Sequence, residues 1–222
     1  MVSIVDKFTM RFFVACALVI AASAHGSLRD PPARNVLSNS NYCPDCLNAG
    51  GVNVMFGNGK KARYGVCGDP WNARRDHEAG GRFARGRIGR VYKSGGTITM
   101  KMSFSANHQG RFSFKLCDLP DGKLSSTRER ALTSQGCFNR HVLRRTDGKV
   151  YSFLRGNERS TTVTYRLPKI KCAHCVIQWT WETGNSCCPS GTPKKYCGQG
   201  VDVCYRYTVP EIWLNCADVR IN

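Results

Sequence analysis

Two histidines in this 222-residue chain, His25 and His108, stand where nitrogen-ligand chemistry could be built. His25 follows the apolar run Phe12 to Ala24 (FFVACALVIAASA), which has Lys7 and Arg11 ahead of it and a small-x-small Ala22-Ser23-Ala24 at its end. That order of basic, apolar and small residues reads as a secretory signal peptide with its cleavage site, over residues 1–24. The run is too short to span a bilayer, which takes about twenty apolar residues. Cleavage after Ala24 turns the peptide nitrogen of His25 into an α-amine, so one residue then carries three nitrogens. The amine and Nδ1 chelate a metal together and leave Nε2 free. His108, in Ser105-Ala-Asn-His-Gln109, falls between two alternating segments. It supplies the third ligand nitrogen if its loop lies at the same end of the fold as the new terminus. Three nitrogens in a T-shaped plane suit Cu(II), which favours tetragonal N/O coordination and heads the divalent affinity order. Zinc would want a fourth ligand in a tetrahedron.

The cysteines speak for the compartment. Of 13, Cys16 leaves with the signal, and the remaining 12 are an even number, read as up to six disulfides in an oxidising environment. Cys43-Pro-Asp-Cys46 and Cys172-Ala-His-Cys175 have the spacing of zinc ligands, but they lie far apart behind an export signal, so disulfides are expected. Connectivity is not legible from spacing. Charge follows by subtraction: 33 − 2 = 31 basic and 15 − 1 = 14 acidic residues after cleavage, a net of about +17. The excess is concentrated in Arg74 to Lys93 and in Arg128 to Arg159. Such a surface attracts polyanions or simply aids solubility. Aromatic-basic repeats are absent, so nucleic acid is not an expected partner, and no second apolar segment points to a membrane. A secreted, extracellular, monomeric protein is expected.

Period-two alternation dominates the second half and sets the elements that must hold the histidines. Ile98, Met100, Met102 and Phe104 share one face; Phe112, Phe114 and Leu116 share another. Val163, Tyr165 and Leu167 repeat the pattern, as do Ile177, Trp179 and Trp181. Val203, Tyr205, Tyr207 and Val209 continue it, and Trp213 to Ile221 closes the set. Short half-buried strands separated by Gly, Asp and Asn turns predict an all-β, immunoglobulin/fibronectin III-like antiparallel β-sandwich. Residues 35–90, rich in Gly and Asn, read as a long disulfide-pinned loop region with short helices at most. His108 would sit on a hairpin loop, and His77, His141 and His174 on the surface. Trp179, Trp181 and Tyr205 are expected in the core.

The opening His25-Gly-Ser-Leu-Arg-Asp-Pro-Pro-Ala-Arg34 resembles the His-Gly-x-Leu-x-x-Pro-Pro-x-Arg start of lytic polysaccharide monooxygenases with a chitin-binding type-4 domain, in particular the invertebrate branch, auxiliary-activity family fifteen. Cys172-Ala-His-Cys-Val-Ile-Gln-Trp179, Gly184-Asn-Ser186 and Cys216-Ala-Asp218 resemble further segments of that branch, so the likeness runs over residues 25–222. It implies a copper histidine brace of His25 and His108, with Ala106 as the small residue crowding one axial side. The other axial side normally carries Tyr or Phe five residues before the terminal Asp; here that position is Trp213. Trp213 either takes that role or shares a core face with Val219 and Ile221; Tyr205 and Tyr207 are weaker axial candidates. The resemblance further implies oxidative cleavage of crystalline β-1,4-linked polysaccharide, chitin favoured and cellulose possible, with an external electron donor and hydrogen peroxide or oxygen as co-substrate. The alternative is a non-catalytic chitin- or glycan-binding protein of the same fold; another is a basic, cysteine-rich protein that binds anionic glycans.

Overall fold

The computed structural model of the protein describes residues 25–38, 43–57, 61–205 and 208–222, so the expected signal segment lies outside the described residues. The strands are β1 His25–Asp30, β2 Arg90–Tyr92, β3 Thr97–Ala106, β4 Gly110–Asp118, β5 His141–Val142, β6 Arg144–Arg145, β7 Ser152–Leu154, β8 Ser160–Arg166, β9 Cys172–Glu182 and β10 Ile212–Ile221. They form two sheets, one ordered β1-β3-β8-β6 and the other β2-β10-β9-β4-β5, with β7 also paired to β4. The β-sandwich expected from the alternation is present. One pair departs from the antiparallel rule: β2 runs parallel to β10 along the sheet edge.

The alternation works as period-two patterning should, sending one side of each strand into the space between the sheets. Ile98, Met100, Met102 and Phe104 from β3 meet Phe112, Phe114, Trp179, Trp181 and Trp213 from the opposing sheet, all buried. Trp179 and Trp181 stack at 6.1 Å between ring centroids, and Phe104 meets Trp181 edge-on at 5.0 Å.

Residues 203–209 are the exception. Among those described, Val203 makes a single bridge to Cys188 and no strand forms. Val203 and Tyr205 are both exposed, Tyr205 by 78%. At these described residues the alternation reflects no buried face, and the Cys187–Cys204 and Cys188–Cys197 disulfides tie residues 187–204 into loops instead. Tyr205 is therefore not a core residue, and Tyr207 lies outside the described residues.

The loop region packs against the outer face of the larger sheet, with two one-turn helices, α1 Arg34–Leu37 and α2 Gly51–Phe56. Ala49 and Met55 cover Leu214, and Gln178 Nε2 donates to Val66 O at 2.7 Å. The region between β4 and β5 adds α3 Ser126–Leu132 and α4 Gln135–Asn139, both too short to carry an amphipathic pattern. All twelve cysteines after residue 24 are paired, and both Cys-x-x-Cys motifs close on themselves.

Cys67–Cys216 ties the loop region to β10 across 149 residues of sequence, the longest span of the six. Loop-closure entropy grows with span, so removing this bridge costs the most of any. The Cys67→Ala/Cys216→Ala variant is expected to lose about 3–5 kcal/mol, read as a lowered denaturant midpoint.

Candidate metal centre

His25 opens β1 and pairs across the sheet with Ala106, the last residue of β3. The residue after it must be small: a Cβ on Gly26 would lie 2.7 Å from Phe104 Cδ1, so only glycine lets β1 begin flat against β3. Asp45 braces this start from the loop region. Its carbonyl accepts from Gly26 N at 3.1 Å, and its carboxylate accepts from Ser27 Oγ, Arg29 and Ser105 Oγ.

β3 and β4 belong to different sheets, so residues 107–109 cross the open end of the sandwich. His108 therefore sits on an inter-sheet connection, where a hairpin loop was expected. The crossing is tight: Gly110 has φ +89°, and any side chain there would collide with Glu182 O. Asn107 fastens the connection by donating to the carbonyls of Arg155 and Glu158 at 2.8 and 2.6 Å. The outcome is that His108 and His25 share one end of the fold. Burial first, and then the nearby His25 ring, lower the His108 pKa below its ordinary value. The His108 imidazole is neutral at neutral pH, the form that ligates metal.

The surroundings of the two rings are specific. Trp213, near the start of β10, is 1% exposed, and its indole lies 5.6 Å from the His25 ring, tilted by 50°. It also meets Trp181 at 6.1 Å, so the core position and the place beneath His25 are the same position. Tyr205, exposed on its loop, has no such contact. On the other side, the Asn185 amide meets His108 Nδ1 at 2.7 Å and is itself held by the Thr183 hydroxyl at 2.7 Å. Gly184 N donates to His108 O at 2.8 Å, and the Glu211 carboxylate lies 3.9 Å from His108 Nδ1. Asn185 Nδ2 is the atom that faces His108 Nδ1, and Asn185 Oδ1 accepts from the Thr183 hydroxyl, so the amide ties the His108 ring to the end of β9. Residue-type reasoning did not single out Asn185 as a partner of His108; the Gly184-Asn-Ser186 segment was the signal that could have found it.

Among the described residues no three or more His, Cys, Asp and Glu side chains gather as a metal cage. Two imidazoles, with the α-amine that cleavage before His25 would create, would be a different donor set, all nitrogen, of the kind that suits copper better than zinc. The remaining histidines are elsewhere. His77 is buried, stacked on Phe83 and bound through Nδ1 to Asp69 at 2.7 Å. His174 is half-buried against Asp218 at 2.9 Å. Neither is the surface residue its sequence context suggested, because loop packing and the end of β10 bury them. His141 is half-buried, 3.4 Å from Asp118.

Residues 25–219 match the family model described as "Lytic polysaccharide mono-oxygenase, cellulose-degrading". The chain belongs to the lytic polysaccharide monooxygenases. A solved structure, a lytic polysaccharide monooxygenase of auxiliary-activity family fifteen from Thermobia domestica in the Cu(I) state, superposes with a TM-score of 0.72 at 32% identity, covering 89% of this chain and 98% of that one. A search of curated proteins finds no match. No helix among the described residues is long and apolar enough to cross a membrane.

Asn185 carries a prediction for this monooxygenase. Groups that orient a ligating histidine through its second nitrogen are worth about 10- to 100-fold in metal affinity. Asn185→Ala is expected to weaken copper binding by that factor in calorimetric titration while leaving the melting temperature within about 2 °C. Unchanged affinity would remove Asn185 from the site.

Proposed function

We propose that this protein is a secreted, copper-dependent monooxygenase that oxidatively cleaves crystalline β-1,4-linked polysaccharide, with chitin as the favoured substrate. The observation that carries the reading is the meeting of His25 with His108 at one open end of the sandwich, in a chain of this family. Cleavage after Ala24 completes the donor set by giving His25 its α-amine. Copper held there supplies one-electron chemistry, drawing on an external reductant and on hydrogen peroxide or oxygen to oxidise a C–H bond beside the glycosidic oxygen.

The chain's own residues do the rest. His25 and His108 would hold the metal, and Asn185, 2.7 Å from His108 Nδ1, fixes the orientation of that ring. Ala106, opposite His25 in the β1–β3 register, leaves only a methyl group on one side of the centre. Trp213 lies beneath His25, a bulkier neighbour than Tyr or Phe and one without a phenol oxygen, and it keeps water from the core side. The Asp45 network holds the strand start rigid, so that the ring does not swing when the polymer docks.

Two measurements test the reading. Mass spectrometry of the secreted protein should find His25 as the first residue. The copper-loaded protein with ascorbate should release oxidised oligosaccharides from β-chitin, with cellulose run in parallel because the family description names it. A mature start elsewhere, or no oxidised product from either polymer, overturns it; in the second case retained chitin binding would assign a non-catalytic binding protein.

A further inference from the structure

The net charge of +18 is not evenly explained by the site at His25 and His108. Segment 141–145 passes from the larger sheet, where β5 pairs with β4, to the smaller, where β6 pairs with β8, and so closes one side of the sandwich. A groove of about 300 Å³ runs along this crossing, lined by Arg140, His141, Arg144 and Arg166 among others. Arg144 and Arg166 are exposed and stand directly opposite each other in the β6–β8 register. Like charges so placed destabilise a sheet. Each donates only to a turn carbonyl, Arg144 to Gly148 O and Arg166 to Thr146 O, and among the described residues neither has a carboxylate within ion-pair distance.

The groove opens onto a flat surface of the same sign. Arg166 pairs with Thr97, Thr164 with Thr99, and Thr162 with Lys101, all on the outward side of the four-stranded sheet. This face presents rows of hydroxyls and cations; β3, β6 and β8 contain no acidic residue, and Asp30 of β1, opposite Lys101, is paired with Arg90 at 2.9 Å. The carboxylates near the groove are engaged: Asp118 with Arg140 and His141, and Asp147 with Arg145. The exposed aromatics, Trp71, Tyr151 and Tyr205, lie on other elements, so there is no platform here for stacking bases.

We propose that this groove and the adjoining threonine face bind an acidic polysaccharide, its sulfate or carboxylate groups set between Arg144 and Arg166 and on Lys101, its hydroxyls on the threonine rows. Arg166 lies beside the first residue of β3 and His25 beside the last, so the two sites are roughly 30 Å apart along the strand. A chain held in the groove leaves the metal end free for an uncharged polymer. The protein would then be tethered to an anionic matrix while its other end works.

The probe is heparin, with the full secreted protein. Arg144→Ser/Arg166→Ser is expected to lower heparin affinity at least 10-fold near physiological salt and to reduce the slope of log K against log salt by about two, one for each cation removed. The charge-matched control Arg82→Ser/Arg85→Ser, on the loop region, is expected to lose no more than two- to three-fold. Should the serine pair unfold, Arg144→Gln/Arg166→Gln makes the same charge change with the side-chain stems largely kept. Equal losses in groove and control variants would reduce the effect to diffuse charge and overturn the proposal. So would single-stranded DNA of matched charge binding as tightly as heparin with the same dependence on Arg144 and Arg166.

Discussion

Alanine in place of His25 or His108 is expected to abolish release of oxidised oligosaccharides and to weaken copper binding by about 1,000-fold, which is roughly 4 kcal/mol. Each substitution removes one of three nitrogens from a centre with little to replace it: all twelve cysteines after residue 24 lie in disulfides, and among the described residues no cluster of three or more His, Cys, Asp and Glu stands nearby, Glu211 beside His108 being a lone carboxylate. The fold should survive both changes. His25 starts an edge strand and His108 lies on a connection held by other contacts, namely Asn107 with the carbonyls of Arg155 and Glu158. Titration of copper by calorimetry, beside a thermal melt of the metal-free protein, checks both halves. A variant that keeps full copper affinity would take that histidine out of the centre. A variant that melts far below the parent would make it structural.

The second large effect lies away from the metal. Arg34, two residues past the Pro-Pro pair, is buried and donates to both Asp218 oxygens, Nε to Oδ2 at 2.9 Å and Nη2 to Oδ1 at 2.6 Å. It also reaches His77 O at 2.8 Å. His174 Nε2 meets the same carboxylate at 2.9 Å. This knot ties the first turn after β1 to the last strand. Removing one partner of a buried pair strands the other charge, at a cost of about 3–5 kcal/mol. Arg34→Ala is therefore expected to lower the melting temperature by on the order of 10 °C. The half-exposed pair of Arg29 and Asp45 is expected to contribute less than about 1 kcal/mol, so Arg29→Ala is the control.

The same carboxylate sets an acid limit. Burial would raise the Asp218 pKa, but Arg34 and His174 outweigh it and hold the group at about 2, against an ordinary 3.8. A carboxylate depressed in the folded state contributes stability that is fully present above its unfolded pKa and is lost as pH falls through the folded one. About 2 kcal/mol should therefore disappear between pH 4 and pH 2. Asp218→Asn, less stable at neutral pH, should have a flatter stability profile across that window.

Much of this protein was legible before any coordinates. Alternation in 97–104, 111–116, 162–167, 177–182 and 213–221 placed five strands, four of them within two residues of their bounds and β9 without its first five residues, because burying one side of a strand imprints itself on every second residue. The same rule misread the described residues 203–205, beside which the Cys187–Cys204 disulfide lies and where no face is buried. It also passed over β1, whose six residues are held by the β3 edge and by Asp45 more than by apolar patterning of their own.

The chemistry divides in the same way. Residue types alone named His25, through a cleavage motif, and His108, through its place between two strands. Family-like segments pointed to Ala106 and Trp213. Sequence alone determined which atoms were available as ligands, since ligand chemistry belongs to the residue. Only the tertiary structure decided that they meet, because the two residues are 83 positions apart and are joined by an inter-sheet crossing no local signal describes. It alone resolved Trp213 into a single position with two neighbours, Trp181 and His25, and brought Asn185 to His108 and Arg34 to Asp218. Contacts of that range depend on how two sheets stack, and stacking is a property of the whole chain.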